Sequence, residues 1–351
     1  MMRSTKVMAI MLSMVLLFSA QVLFASGQPE DTMETELPPR PEFDSEVIPE
    51  DQGEVEPIDQ MPDRPLKIAI LGLENNPFWV PVKQGALDAA ETLAEYNTQV
   101  DWIVPPGDKH TADVFGQGIE NALVQEYDAI ATIAGDSGIV PFINKAVDRG
   151  VPVATFNVET TTENKRLFFV GADLYKQGVR AGEVMAEQLG GEGKVAVMTG
   201  FFSVEGHEQR RLGFLDALEE NAPDIEIVGQ VETLDQNDTA YNQTIDFLNA
   251  NPDLDGLFIA AGGQVGGGRA VEDAGKAGEI VIVTYDYIPE TMEMVESGTI
   301  TGTIGQNPYA QGHDPAIRLY NYLVGGVVPP AGKLLTFSQF VTQENIDEIN
   351  Y

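Results

Sequence analysis

One loop of the sequence carries chemistry that can be named from its residue types. Asn75-Asn76-Pro77-Phe78-Trp79 sets two amides beside two aromatic rings, just after an apolar run at 67–71. Amides both donate and accept hydrogen bonds, and aromatic rings offer flat apolar faces. A sugar ring has C–H faces and a hydroxyl rim, so this pairing suits it. The same residues also admit a structural reading, in which Asn76 caps the following helix and Phe78 packs in the core.

Other reactive patterns are missing. No dinucleotide fingerprint follows the first strand, and no phosphate loop ends in Gly-Lys-Ser/Thr. The Gly262-Gly263-Gln264-Val265-Gly266-Gly267-Gly268 cluster lacks the dinucleotide register and reads as a flexible strand-to-helix turn. Gly135-Asp136-Ser137-Gly138 lacks the spacing of a nucleophile elbow. The three histidines, His110, His207 and His313, stand apart in sequence and read as surface or supporting residues rather than bases or metal ligands. With 55 acidic residues, no single carboxylate pair stands out. Neither a metal nor a cofactor is expected, and the chain does not read as an enzyme.

The elements that must position the loop form a regular alternation. Short apolar runs occur at 67–71, 100–104, 129–133, 151–156, 194–198, 225–231, 256–260 and 280–284, rich in Val, Ile and Leu. Such runs fit strands buried on both faces. Helical patterns lie between them, as at Val82, Ala86, Ala89, Ala90 and Leu93. Strand–helix alternation predicts parallel sheets covered by helices, and this number of units exceeds one comfortable sheet. The expected fold is α/β, with two doubly wound parallel-sheet lobes. Ligands in such folds sit beyond the carboxyl ends of strands. That directs attention to the loops at 74–79, 135–138, 157–162, 200–208, 261–268, 286–289 and 305–308.

Composition narrows the function further. The chain has 351 residues, no cysteine and a formal net charge of −35. Without cysteine there are no disulfides, thiol catalysis or anchor on an N-terminal cysteine. The negative charge opposes nucleic-acid binding, which needs basic surface. Residues 1–27 have a positive start, an apolar run and small residues after it, the layout of a cleaved secretory signal peptide. Residues 28–65 are acidic and proline-rich, with 13 Asp and Glu in 28–64, and read as a disordered linker. The mature protein is expected to be exported and soluble, in the periplasm of a two-membrane bacterium.

Several segments, taken in order, resemble a known family. Residues 66–341 look like a periplasmic sugar-binding protein of ABC transporters, in the ribose-binding-protein group. The resemblance is carried by the segment from Ile68 to Val80, by Val151-Pro152-Val153-Ala154-Thr155-Phe156-Asn157, by the helix from Gly206 to Phe214, by the segment from Asn251 to Phe258, by Val283-Thr284-Tyr285-Asp286, and by Gly302-Thr303-Ile304-Gly305-Gln306. It implies the type I periplasmic binding protein fold, with the two lobes joined by a three-stranded hinge. Its first lobe would be 66–172 plus 307–337, and its second 173–306 plus 338–351. It implies that Asn76 bonds the sugar rim, Phe78 and Trp79 stack on its faces, and Arg210 and Asp286 bind hydroxyls. Gln306 would contribute near the hinge, Tyr285 would line the pocket, and Asn157 would donate and accept. Where ribose binders carry Asp-Arg, this chain has Asn157-Val158, and a later Asn is replaced by Ala261 or Gly262. The site should therefore differ from a ribose site in shape and charge, and a hexose or polyol is among its expected ligands.

The function implied is capture of a small sugar or polyol and delivery to the membrane subunits of an ABC permease, by a monomer. The alternative is a periplasmic sensor that presents a sugar or other small polar ligand to a chemoreceptor or sensor kinase. A sugar-responsive transcription regulator shares this fold but needs a basic DNA-binding segment, which this N-terminus lacks.

Overall fold

The computed structural model describes residues 39–107 and 109–349. The signal peptide lies outside the described residues, as do residues 28–38 of the expected linker.

In the first part of the chain, strands β1 (Glu46–Val47), β2 (Leu66–Leu71), β3 (Thr98–Ile103), β4 (Ala129–Thr132), β5 (Val153–Phe156) and β6 (Phe168–Gly171) alternate with helices α1 (Trp79–Ala94), α2 (Ala112–Val124) and α3 (Val140–Asp148). Next come α4 (Leu174–Leu189), β7 (Glu192–Thr199), α5 (Glu205–Asn221), β8 (Asp224–Glu232), α6 (Asn237–Ala250), β9 (Gly256–Ile259), α7 (Gln264–Asp273), β10 (Val281–Tyr285), α8 (Pro289–Ser297) and β11 (Gly302–Ile304). The chain closes with α9 (Pro308–Gly325), β12 (Lys333–Leu335) and β13 (Phe340–Val341).

Among the described residues the strands form two sheets, one ordered β1-β12-β6-β5-β4-β2-β3 and the other β13-β11-β10-β9-β7-β8. All neighbours pair in parallel except β13, which runs antiparallel to β11. The chain passes between the sheets three times: after β6, between β11 and α9, and between β12 and β13.

The unbroken apolar runs are explained by the second sheet. Val195, Val197, Phe258, Val283 and Tyr285 pack into one core, and Ala196, Met198, Leu257, Ile259 and Ile282 into another. Successive residues of a strand face opposite sides, so each face buries its own core. In each lobe a glycine pair lets two helices touch. A Cβ on Gly312 would lie 1.8 Å from Val82 O, tying α9 to α1, and one on Gly178 would lie 2.2 Å from Arg210 O, tying α4 to α5.

Residues 39–65 correct one expectation. They are not a disordered linker but fold onto the first lobe. β1 pairs in parallel with β12, Val55 is buried in the core, and Ile58 packs against it. The backbone of this strap is held by side chains of α9: Gly53 N donates to Asp314 Oδ1 (2.9 Å) and Ile58 N to Asn321 Oδ1 (2.8 Å). Composition misled because acidic residues can point outward while a few apolar ones and the backbone amides do the docking.

Candidate functional site

The carboxyl ends of both sheets face a cleft of about 480 Å³. The first lobe supplies an aromatic wall. Pro77 precedes α1 and Phe78 stands at its N-terminus, so the ring and that of Trp79, which opens the helix, are presented at the end of β2. The two rings meet edge to face with centroids 5.2 Å apart. Asn76 lines the cleft, and its Oδ1 accepts from Phe78 N (3.0 Å). The Asn76 oxygen thus shapes the helix entry, as the structural reading of the loop expects, and the residue also lines the cleft.

The second lobe supplies a charged wall. Arg210 is buried on α5 and fixed on three sides. Its Nε and Nη2 donate to Gln177 Oε1 (3.1 and 2.9 Å), and its Nη1 donates to Ala260 O (3.1 Å). Its guanidinium also lies 3.8 Å from the Tyr285 ring centroid. Asp286 follows β10 and accepts from Gln306 Nε2 (2.7 Å). Burial pushes the Asp286 carboxyl above the usual carboxylate range, against the pull of Arg210 and Gln306. Burial also lowers the Arg210 guanidinium from its ordinary value, opposed by Tyr285, Asp286 and Asp235.

Seven of the eight expected residues thus line the cleft: Asn76, Phe78, Trp79, Asn157, Arg210, Asp286 and Gln306. Asn157 is tied into the first lobe, donating from Nδ2 to Gln311 Oε1 (3.0 Å). Tyr285 departs from expectation. As the last residue of β10 it points into the sheet core, packs against Phe258 and lies under Arg210 rather than on the cleft surface. It supports the arginine from below.

Among the cleft residues that escaped the sequence reading are His110, His207 and Asp235. His110 and Asp235 sit in the loops after β3 and β8, which were not among the loops singled out. His207 lies in the 200–208 loop region that was singled out, but all three histidines were read as surface or supporting residues. Instead the His110 and His207 rings meet across the cleft with centroids 6.0 Å apart, and His110 also touches Trp79 at 5.7 Å. His207 Nδ1 accepts from Phe201 N (3.1 Å), which places its proton on Nε2. Burial lowers His110 to about 4, with His207 adding to the shift and Asp235 opposing it. Burial, then Arg210, lowers His207 to about 3. Asp235 accepts from Gly262 N (3.0 Å) and is pushed upward by burial. The third histidine, His313, is buried in α9 and bonds Asp314. The glycine cluster is also corrected. Gly263 caps α7 with φ 114, but Gly266, Gly267 and Gly268 lie inside the helix, where a Cβ on Gly266 would strike Asn237 O at 1.9 Å.

The cleft is closed. Glu205, at the start of α5, accepts from Thr160 Oγ1 (2.8 Å) and Thr161 N (2.8 Å), and its own N–H donates to Gly135 O (3.0 Å). Three polar atoms of cleft residues, Trp79 Nε1, His110 Nδ1 and Gln306 Oε1, are buried without a hydrogen-bond partner in the protein. Buried polar groups are normally paired, so these three are exceptions.

A family profile for the periplasmic binding protein domain matches residues 69–326. The D-allose-binding periplasmic protein of Escherichia coli is 28% identical over 248 residues, spanning 68% of this chain and 78% of the relative. Two solved structures of ABC transporter solute-binding proteins are also similar. One, from Agrobacterium vitis with bound D-fucose, is 30% identical, with a TM-score of 0.72 and coverage of 80% of this chain and 97% of the other. The other, from Actinobacillus succinogenes with bound D-allose, is 26% identical, with a TM-score of 0.73 and coverage of 82% and 100%. With the interleaved lobes and the cleft between them, these matches establish that the chain belongs to the periplasmic binding protein family, among the sugar-binding proteins of ABC transporters.

Proposed function

We propose that the protein is an exported, monomeric solute-binding protein that captures a small sugar or polyol between its lobes and delivers it to an ABC permease in the membrane. The observation that carries this reading is the opposition of the two walls. Phe78 and Trp79 offer apolar faces from one lobe, and Arg210, Asp286 and Gln306 offer charged and amide groups from the other. A sugar ring satisfies both at once, with C–H faces on the rings and hydroxyls on the polar groups. Charge-assisted hydrogen bonds are about twice as strong as neutral ones, and closure strengthens them by excluding water. Bonds to both lobes exist only in the closed form, so the ligand draws the lobes together. A permease then meets a closed, loaded protein.

Val158 stands where a ribose binder would place an arginine, and it is buried against Gly206. His110, His207 and Asp235 bring other donors and acceptors to the cleft. This exchange supports a ligand other than ribose, and D-allose and D-fucose, bound by similar proteins, head the candidates.

The test is thermal melting of residues 28–351 against pentoses, hexoses, polyols, nucleosides and amino acids. A ligand at 100 times its dissociation constant adds about 2.7 kcal/mol. The expected result is a rise of several degrees with one sugar or polyol. A rise only with a nucleoside or amino acid would reject the sugar, and silence across the panel would reject the reading.

A further inference from the structure

We propose that Val204 is a positioning residue for ligand capture: it seats the start of α5 in the first lobe and so carries Arg210 across to the aromatic wall. Val204 caps α5 and belongs to the second lobe. Yet it is only 4% exposed, and it packs within the buried apolar cluster of the first lobe. Phe201, three residues earlier, packs against the same cluster. Val204 N donates to Phe201 O (3.3 Å), which closes a turn between the two.

The contacts on either side of Val204 span the two lobes. A helix leaves its first N–H groups without partners of its own, and α5 has no side-chain cap to supply one. Instead Glu205 N donates to Gly135 O (3.0 Å), in the loop after β4 of the first lobe. One residue further on, Gly206 faces Val158, the residue second after β5. A Cβ on Gly206 would lie 2.9 and 3.1 Å from the two methyl carbons of Val158. Gly135 and Val158 stand at the carboxyl end of the first sheet, and Val204 and Gly206 at the carboxyl end of the second. Opening the cleft moves these two ends apart and parts every one of these contacts. Arg210 stands four residues beyond Gly206, on the same face of α5. Apolar surface that is shielded from water only when the lobes meet favours the shut form. No ligand atom takes part, so the Val204 seat draws Arg210 toward Phe78 and Trp79 with or without a ligand.

This inference rests on the reading of the molecule as a protein that closes on a ligand. The experiment uses Val204→Ala in the full chain, together with Gly206→Ala alone and Gly206→Ala combined with Val158→Ala. Two readouts are taken. The first is the distance between spin labels on cysteines introduced at Asp113 and Asn242, exposed positions on α2 and α6. These helices follow β3 and β8, which form the edge of each sheet farthest from the crossings, where opening separates the lobes most. Because the chain has no cysteine of its own, the labels are unique. The second is affinity for whichever of D-ribose, D-allose and D-fucose raises the melting temperature most.

Val204→Ala is expected to shift the ligand-free distances toward longer values and to weaken binding about tenfold, the effect of two buried methyl groups removed. Gly206→Ala should also lengthen the distances, by propping the lobes apart, and Val158→Ala added to it should shorten them again by making room. A loss of affinity in Val204→Ala with unchanged ligand-free distances would confine Val204 to the fold of the second lobe and overturns the proposal. It is also overturned if Val158→Ala does not shorten the Gly206→Ala distances, since the added methyl then acts on Leu174 of its own lobe, 2.6 Å away, and not across the cleft. If none of the three sugars binds, the sugar reading fails, while the ligand-free distances still decide the role of Val204.

Discussion

The two lobes are built alike and chemically opposed. In each, the strand that leads to the cleft ends in a residue with left-handed backbone: Asn157 after β5 (φ 67) and Asp286 after β10 (φ 73). Each donates its N–H to the neighbouring strand, Asn157 to Val170 O (3.0 Å) and Asp286 to Ile304 O (2.9 Å). Asn and Asp are the side chains that tolerate this backbone best, so the fold narrows both positions to a short polar residue. The chemistry then diverges. Asn157 is neutral, and its amide is engaged by Gln311. Asp286 is ionisable, buried, and faced by Arg210 and Gln306. The lesson is that backbone geometry sets where a polar group stands, while a single atom of side chain decides whether that lobe grips with charge.

Replacing these two residues tests the comparison most severely. Asp286→Asn keeps the backbone and removes the charge, and should weaken sugar binding about a hundredfold, the loss of charge-assisted bonds. Asn157→Gly, which keeps the left-handed backbone and adds no buried charge, should cost far less, because the Asn157 amide is neutral and already engaged by Gln311. Titration calorimetry of both variants decides the matter, and equal losses would break the distinction between the lobes.

A smaller effect follows from the ring contact that joins the lobes. In the closed cleft His110 and His207 are held down, at about 4 and about 3, from an ordinary 6.5. They are therefore neutral when the lobes are shut and take up protons more readily when opening exposes them to water. Closure gains from this difference fully above about pH 6.5 and loses it as the pH falls toward 4. Asp235 and Asp286, both pushed upward by burial, act in the opposite sense once the pH reaches their raised range. Affinity should thus weaken between about pH 7 and 5, and His110→Asn should flatten that slope. Identical slopes in the variant and the wild type would remove the histidine pair from the account.

The smallest expected effect is at the lips. Glu205→Ala removes the carboxylate that accepts from Thr160 and Thr161. The contact is partly exposed, so binding should weaken only about two- to fivefold, as faster release in stopped-flow kinetics. A loss as large as that of Asp286→Asn would move the main grip from the cleft to its rim.

Much of this was legible in the residues. The apolar runs located the long central strands, because a strand buried on both faces must be apolar throughout. The Asn75–Trp79 loop was singled out by residue type, and Arg210, Asp286 and Gln306 by family resemblance. The short strands β1, β6, β11, β12 and β13 were not found from periodicity, since two to four residues are too few to show a pattern. His110, His207 and Asp235 were missed for a different reason. They are distant in sequence: the second lobe's own fold gathers His207 and Asp235 around Gly200, and the closing of one lobe on the other adds His110.

Sequence by itself determined the class of fold, the strand ends that face the cleft, and the aromatic and amide character of the first wall. These are local properties, written in periodicity and in neighbouring residue types. Tertiary structure alone decided that the acidic strap folds along α9, that Tyr285 turns inward under Arg210, and that two histidines meet across the cleft. Each of these depends on contacts between residues far apart in the chain, and whether such residues meet is settled by packing and by the pairing of buried polar groups.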